Sequence, residues 1–211
     1  MPETLIVGGG LVGLLTALRL ADAGQRCAIV DRRNGEDAAS LASAGGIYQQ
    51  LQPLFDPPET VSRHGNRIGP LIQASLPAWF RLGDRLPGLP LQITGGMIVA
   101  FDDAGMTALQ RKHDIESALG MRSTMLAGDE VRSISPGFHG DIRGGCFAPD
   151  EGHCEPRALM ASVRDELVRL GVPMLDGRHV DRIEPGTSSI RLHLADGSHL
   201  DADRTILATG G

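Results

Sequence analysis

The chain of 211 residues contains 41% apolar and 22% charged residues, the balance of an ordinary globular protein. Its formal net charge of −6, without a basic stripe, argues against a nucleic-acid partner. No apolar run approaches the roughly 18 residues of a membrane span, and the first residues lack the basic region of a secretory signal. We therefore expect neither a membrane-spanning nor an exported protein.

The first thirty residues follow a strand–helix–strand pattern. Thr4–Val7 is a short, β-branched apolar run, typical of a buried parallel strand. A helical spacing of apolar residues follows and closes at Gly24, a favourable residue for a helix C-terminus. A second apolar strand, Cys27–Val30, ends in Asp31.

The turn between the first strand and the helix satisfies G-x-G-x-x-G at Gly8, Gly10 and Gly13. The first glycine permits the sharp turn, the second lets the backbone approach a diphosphate, and the third lets the helix pack closely on the sheet. The first helical residues, Leu11 and Val12, would supply amide donors and the positive end of the helix dipole. Together with the strands, this pattern predicts a dinucleotide site, the alternative being a purely structural turn.

The acid at the end of the second strand extends this prediction. The Asp31 carboxylate can accept hydrogen bonds from ribose hydroxyls and would repel a 2′-phosphate. Arg32 follows Asp31 in the turn, and we predict that it also contributes to the cofactor-binding site. These features do not distinguish NAD from FAD.

A stretch of small residues, Ala38–Gly46, comes next. Small side chains allow a planar ring to lie against the backbone, whereas a flexible linker is the alternative. At this point the whole-chain pattern resembles the D-amino-acid oxidase family of flavoproteins, which includes glycine and sarcosine oxidases and amino-acid dehydrogenases. In that family the equivalent loop wraps the pyrophosphate and reaches the isoalloxazine, and the resemblance assigns this role to Ser40, Ser43, Ala44, Gly45 and Gly46.

The middle of the chain alternates between helical and strand patterns. Residues 63–86 have helical spacing, which we expect Pro70 and Pro77 to break or kink into two shorter helices. Beyond residue 90 the pattern suits a second α+β domain inserted into the first. Its expected elements are a strand pair or bent strand at 91–101, a helix at 104–119, a strand at 120–126 and a short helix at 127–133.

Two further stretches carry the family resemblance. Thr94-Gly95-Gly96 followed by an apolar strand is similar to a motif of the family. The segment Ile47–Leu51 looks closest to the branch of opine oxidases and hydrogen-cyanide synthases.

The last third of the chain predicts a return to the cofactor-binding part. After a strand at 141–148, Pro149–Pro156 resembles the family's entry to a long helix. Pro156 suits a first helical turn, and Gly171 ends the helix. We expect its buried face to consist of Leu159, Val163, Leu167 and Leu170.

Strands then follow at 172–175 and 178–183, with a D-G hairpin at 195–198 and a final strand ending in A-T-G-G. By resemblance, the main chain of Val180 contacts adenine, and Ala208, Thr209 and Gly210 pass near FAD. This three-stranded meander before the final strand favours FAD over NAD.

Three cysteines and one histidine are the remaining candidates for reactive groups. Cys27, Cys146 and Cys154 are an odd number without a C-x-x-C pair, which is typical of a reduced, cytoplasmic chain without disulfides or structural zinc. His153 beside Cys154 gives neither a zinc ligand set nor an oriented nucleophile. We interpret this pair as a loop residue and a packing residue.

The sequence thus predicts an α/β fold: a Rossmann-like FAD-binding domain with a βαβ start and a β-meander, plus part of an inserted α+β substrate domain. The expected boundaries are 1–86 and 141–211 for the cofactor-binding domain and 87–140 for the substrate domain.

The resemblance implies a FAD-dependent oxidoreductase that oxidises the CH–NH bond of a small-molecule substrate, an amino acid or secondary amine, by hydride transfer to flavin. The product imine would then hydrolyse. The resemblance identifies no catalytic side chain, and it covers only the N-terminal part of the sequences of the family. We therefore expect a fragment, or a short form that needs a partner subunit or a homo-oligomer. The alternatives are a cofactor-binding subunit that is inactive alone and an NAD-linked Rossmann dehydrogenase.

Overall fold

The structure is a computed structural model that describes residues 2–33, 39–51, 58–86 and 88–210, with only the helical backbone for 58–66. The chain divides into two compact units. The first unit comprises Met1–Gly45, Gly88–Pro90 and Glu155–Gly211, and the second comprises Gly46–Pro87 and Leu91–Cys154. The expected boundaries after residues 86 and 140 concern domains and stay a prediction.

The described helices are α1 (Leu11–Asp22), α2 (Pro58–Arg85), α3 (Asp103–Ala118), α4 (Gly128–Ile134) and α5 (Pro156–Arg169), with a 3₁₀ turn at Ala39–Leu41. The described strands are β1 (Thr4–Val7), β2 (Cys27–Asp31), β3 (Gly46–Ile47), β4 (Leu91–Gln92), β5 (Gly96–Ala100), β6 (Thr124–Ala127), β7 (Gly144–Ala148), β8 (Gly152–Cys154), β9 (Met174–Asp176), β10 (Val180–Pro185), β11 (Ile190–Leu194), β12 (His199–Ala202) and β13 (Arg204–Leu207).

The first unit is built on a parallel sheet with the strand order β13-β1-β2-β9. Strands β1 and β2 are almost entirely buried, which explains why they consist of continuous apolar runs rather than alternating patterns. The α/β class predicted from the sequence is confirmed.

A three-stranded antiparallel meander, β10-β11-β12, covers one face of this sheet. Leu5 and Val30 of the sheet share a buried cluster with Leu192 and Leu194 of the meander. Because side chains alternate along a strand, Ile6 and Ile29 point to the other face. The predicted D-G hairpin joins β11 to β12, with Gly197 at a φ of +82°.

Helices α1 and α5 pack against each other in the same unit. Each ends at a glycine with positive φ, Gly24 and Gly171, as expected. The predicted buried face of α5 is correct for Leu159, Val163 and Leu167. It is wrong for Leu170, which is the C-cap residue and 38% exposed, because the helix ends before this position completes the stripe.

The second unit contains two antiparallel sheets, β5-β7-β6 and β3-β8-β4. Helix α3 packs on the first of them through Leu109, which is buried with Ala100 and Cys146. Strands β4 and β5 belong to different sheets, so residues 91–101 form neither a hairpin nor one bent strand. Strand β7 pairs with β5 and β6, which associates residues 144–148 with the middle of the chain.

Helix α2 runs without a break over 28 residues, so the expectation that its prolines divide it is wrong. Pro70 and Pro77 lie seven residues apart, on the same side of the helix, and both are exposed. Proline has no N–H, so the backbone carbonyl four residues before each proline receives no hydrogen bond within the helix. Because this side of the helix is exposed, water can hydrate these carbonyls. Across the described residues, no helix is both long and apolar enough to cross a bilayer.

Candidate dinucleotide-binding site

The glycine turn after β1 is closely packed at two of its three motif positions. Gly8 has a φ of +115°, and a Cβ there would lie 2.3 Å from the carbonyl oxygen of Ala208. A Cβ on Gly13 would lie 1.9 Å from the carbonyl oxygen of Gly8. Contacts within the protein therefore explain both glycines, as the strand–helix packing argument predicts.

Gly10 differs from both. Its φ of −72° is accessible to any residue, and the nearest atom to a Cβ there is Ser40 Oγ at 3.5 Å. No close contact in the described part of the chain requires glycine at this position. The space that a side chain would fill lies at the start of α1, where a diphosphate would need to approach the backbone, so the residues present fit such a group.

The first turn of α1 has the donors that an anion requires. Its N-cap residue is Gly10, which has no side chain to cap the helix, and Val12 is exposed. The amide of Leu11 donates to Ser40 Oγ at 3.1 Å. Ser40, predicted as part of the small-residue loop, thus lies on the 3₁₀ turn at the start of α1. The first amides of a helix lack intrahelical acceptors and carry its positive dipole end.

Asp31 lies against the same turn. Its Oδ2 accepts from the amide of Gly9 at 2.5 Å, and its Oδ1 accepts from the amide of Arg33 at 2.8 Å. A carboxylate offers about four lone-pair sites, so these bonds are compatible with ribose hydroxyls as additional donors. Gly9 was missed by the sequence reasoning, although three consecutive glycines were a signal for it. Arg32 is exposed in the turn that follows.

The remaining small-residue loop lies along the described residues 39–46, with Ala38 outside them. Ser43 Oγ accepts from the amide of Gly45 at 3.1 Å, and Gly45 has a φ of +73°. Ser43 and Ala44 are exposed. Gly46 opens β3 in the second unit, and a Cβ there would lie 2.6 Å from the Tyr48 ring.

The end of β13 also reaches the turn. The amide of Ala208 donates to the carbonyl oxygen of Val7 at 2.8 Å, which continues the parallel pairing beside Gly8. Thr209 follows, and Gly210 has a φ of +74°. Val180 begins β10 and packs on the core between sheet and meander. The structure thus brings together Gly8–Gly13, Asp31, Ser40 and Ala208. The cofactor-binding roles predicted for these residues stay predictions, as do those of Arg32, Ser43–Gly46, Val180, Thr209 and Gly210.

The cysteines are free and buried. Burial raises the pKa of the Cys27 and Cys146 thiols, which keeps both protonated near neutral pH. His153 lies in strand β8 rather than in a loop, and its side chain is exposed. Among the described residues, no group of three or more histidine, cysteine or acidic side chains could hold a metal ion.

Comparison with known proteins adds an independent finding. A family model described as DAO, FAD dependent oxidoreductase, matches residues 3–211. The bifunctional protein ThiO/ThiG of Synechocystis sp. is 29% identical over 211 residues, an alignment that covers 99% of this chain and 30% of that protein. Glycine oxidase of Bacillus licheniformis is 25% identical, with 99% and 54% covered.

Among solved structures, glycine oxidase from Geobacillus kaustophilus superposes with a TM-score of 0.82 at 22% identity, covering 99% of this chain and 55% of that one. This likeness concerns the fold. The chain spans about half the length of the glycine oxidase relatives, and less of the bifunctional protein.

Proposed function

The chain belongs to the DAO family of FAD-dependent oxidoreductases, and from this premise we propose that it binds FAD at the glycine turn for the oxidation of the CH–NH bond of an amino acid or secondary amine. The observation that carries the proposal is the open space at Gly10. Packing explains Gly8 and Gly13, but the close approach of a ligand best explains Gly10, the second glycine of the motif.

Each part of the turn has a role in this proposal. The first-turn amides of α1 beyond Leu11 hold the diphosphate, and the Leu11 amide donates to Ser40 Oγ, which fixes the start of the helix beside the small-residue loop. The Asp31 carboxylate, fixed by the amides of Gly9 and Arg33, binds the ribose hydroxyls. Adenine lies against the main chain of Val180, and the small-residue loop with Ala208–Gly210 approaches the rest of the cofactor.

FAD, when bound, supplies the acceptor for the hydride that leaves the substrate carbon. The residues of this chain bind and orient it. Relatives named glycine oxidase support a small amino acid as the substrate class.

Two further properties belong to the same proposal. A partner subunit or a second copy would contribute surface to the working enzyme. A cytoplasmic location is supported by the three reduced, buried cysteines, which suit a reducing compartment.

The proposal is tested by FAD binding to Asp31→Asn. The substitution removes the charge and replaces one of the two oxygens that accept from backbone amides with an NH₂ group, and a hydrogen bond to a charged group contributes about 1.5–3 kcal/mol. We expect the Kd for FAD, measured by titration of the apoprotein, to rise about 10- to 100-fold. Asp203→Asn is the matched control, since Asp203 is exposed in the same unit between β12 and β13.

Absorbance of the purified protein decides between the cofactors. Flavin bands that persist through gel filtration support the proposal. A colourless protein that binds NADH and not FAD would contradict it and favour a nicotinamide-dependent dehydrogenase. Equal FAD affinity of Asp31→Asn and the unmodified protein would remove the ribose role from Asp31.

A further inference from the structure

The second unit buries a charged network that the proposed cofactor site does not use. Lys112, Glu116 and Glu151 are 2%, 1% and 5% exposed, and Gln49 and Gln50 are buried with them. All five side chains belong to the second unit. Burying charges costs free energy unless each is paired and hydrogen-bonded, so such a network requires a specific explanation.

The two carboxylates accept hydrogen bonds from three consecutive backbone amides. Glu151 Oε1 accepts from the amides of Gln49 at 2.8 Å and Gln50 at 2.9 Å, and Glu116 Oε1 accepts from the amide of Leu51 at 2.7 Å. These three residues lie outside any helix or strand. Without the carboxylates their buried amides would lose these acceptors, at a cost comparable to a lost hydrogen bond for each.

The Gln50 side chain connects the two carboxylates. Its Nε2 donates to Glu151 Oε2 at 2.9 Å, while its Oε1 accepts from Lys112 Nζ at 2.7 Å. Lys112 also donates to Glu116 Oε2 at 2.7 Å. An anion on one side and a cation on the other allow only one orientation of the amide, so the network specifies the course of residues 49–51.

Gly96 provides an independent sign that the Glu151 carboxylate has a fixed place. A Cβ on Gly96 would lie 1.8 Å from Glu151 Oε2. The second glycine of the Thr94-Gly95-Gly96 motif therefore leaves room for this carboxylate. The amide of Gly95 donates to the backbone oxygen of Glu151 at 2.8 Å, which ties the same residue to the motif a second time.

The residues just before this segment belong to the proposed cofactor loop. Gly46 and Ile47 form β3, which pairs with His153 and Gly152 of β8, directly after Glu151. Glu151 therefore accepts hydrogen bonds from the amides of residues 49 and 50, and the strand that begins at the next residue pairs with β3. Gly46 follows Gly45 in the chain, and both are among the residues assigned to the flavin by resemblance.

We propose that Glu151, Gln50 and the Lys112–Glu116 pair are positioning residues that hold residues 46–51 in the course that FAD binding requires. This inference rests on the proposed function. A buried ion pair contributes little net stability compared with apolar residues of similar size, so its most useful effect is to specify one conformation. The network therefore acts on cofactor affinity and flavin environment rather than only on the free energy of unfolding.

The test is a charge exchange between positions 50 and 151. In Glu151→Gln the new amide can accept from the backbone, but its NH₂ group faces the NH₂ group of Gln50. In the double variant Glu151→Gln with Gln50→Glu, the carboxylate moves beside Lys112 and faces that amide, which restores both of these pairings and loses only the 3.3 Å bond from Gln50 Nε2 to the Gly96 oxygen. Asp150→Asn is the matched control, because Asp150 is buried in the same turn but its side chain pairs with Arg122.

The readouts are the Kd for FAD and the visible circular dichroism of the flavin at saturating FAD. We expect Glu151→Gln to bind FAD about 10-fold more weakly and with an altered spectrum, and the double variant to return to within about threefold of the unmodified protein. Asp150→Asn should match the unmodified protein in both. If Glu151→Gln fails to fold, Gly96→Ala displaces the carboxylate without changing charge and should shift both readouts in the same direction.

The outcomes separate this inference from the function on which it rests. An unmodified protein that does not bind FAD overturns both. An unmodified protein that binds FAD, with Glu151→Gln or Gly96→Ala equal to it in affinity and spectrum, overturns the positioning role alone. An equal loss in the double variant, or in Asp150→Asn, also overturns it, because general damage to buried polar groups would then be the cause.

Discussion

At the scale of single residues, the three motif glycines differ in the atoms that surround them. A Cβ on Gly8 or Gly13 would lie 2.3 or 1.9 Å from a backbone oxygen of the protein itself. Among the residues that the structure describes, a Cβ on Gly10 would meet only Ser40 Oγ, at 3.5 Å. The motif therefore combines two positions at which packing requires glycine with one, Gly10, at which packing does not require it. Substitution by alanine separates them.

Gly10→Ala and Gly13→Ala should give opposite results. Alanine at position 10 adopts the existing backbone, so the free energy of unfolding of the apoprotein should stay the same or rise by up to about 1 kcal/mol. Its methyl group occupies the diphosphate space, so the Kd for FAD should rise about 10-fold or more. Urea unfolding of the apoprotein and FAD titration measure the two quantities.

Gly13→Ala is the comparison in this experiment. Its methyl group meets the Gly8 carbonyl oxygen, and such overpacking costs about 1–3 kcal/mol, so unfolding should become easier even without cofactor. A destabilised Gly10→Ala apoprotein, or one that binds FAD normally, would contradict the assignment of Gly10 to the ligand.

The residues that were predicted from the sequence lie close to one another along the chain, whereas the residues that were missed have partners far away along the chain. Gly8, Gly10, Gly13 and Asp31 belong to one local pattern of known spacing. Glu151 accepts hydrogen bonds from two backbone amides that lie 101 and 102 residues earlier in the chain. No periodicity or motif connects positions so distant, so the buried network could not be predicted.

At the scale of elements, local patterns predicted most helices and strands but not all of their partners. The βαβ start, the meander and α5 follow from apolar spacing, glycine ends and a D-G turn, all of which act within a few residues. The assignment of β4 and β5 to separate sheets depends on β7 and β8, which come far later in the chain. Helix α2 departs from a local rule: proline usually ends or kinks a helix, but α2 continues through both of its interior prolines.

Pro77→Ala should stabilise helix α2. Proline in a helix interior is about 3 kcal/mol less favourable than alanine, partly offset by the greater entropy that alanine gives the unfolded chain. We expect the free energy of unfolding to rise by about 1–2 kcal/mol. Trp79, the single tryptophan of the chain, lies on the same helix near this position, so its fluorescence during urea unfolding reports on the region.

Pro156→Ala is the matched control for that variant. Pro156 occupies the first turn of α5, where a missing N–H removes no intrahelical bond. Its replacement should not stabilise the protein. A gain equal to that of Pro77→Ala would show that the position in the helix is irrelevant and would contradict the argument.

At the scale of the whole molecule, the chain carries a net charge of −6, and Glu184 and Asp201 of the meander lie beside basic side chains. His193 and Arg182 lower the pKa of Glu184, and Arg191 lowers the pKa of Asp201. The Ser198 hydroxyl and amide lower the pKa of Asp196 at the hairpin. At the start of α5, the amides of Ala158 and Arg157 lower the pKa of Glu155.

These shifts have one sign and therefore predict one pH dependence. A carboxylate with a lower pKa in the folded state stabilises the protein at pH values above its unfolded pKa, which is about 4. This stabilisation disappears as the pH falls through the folded pKa. We expect the midpoint of urea unfolding to stay level from pH 7 to about 5 and to fall below about pH 4.

Glu155→Gln tests which carboxylates produce this fall. Glutamine can still accept an amide hydrogen bond at the start of α5 but does not titrate, so the variant should unfold more easily at pH 7 and show a shallower decline in acid. High salt screens the exposed pair of Arg191 with Asp201 and should reduce that part of the dependence. The hydrogen bonds that Glu155 accepts from backbone amides do not depend on a charged side chain, so their share should persist in salt. An acid profile unchanged by both the substitution and salt would refute the assignment of the pH dependence to these groups.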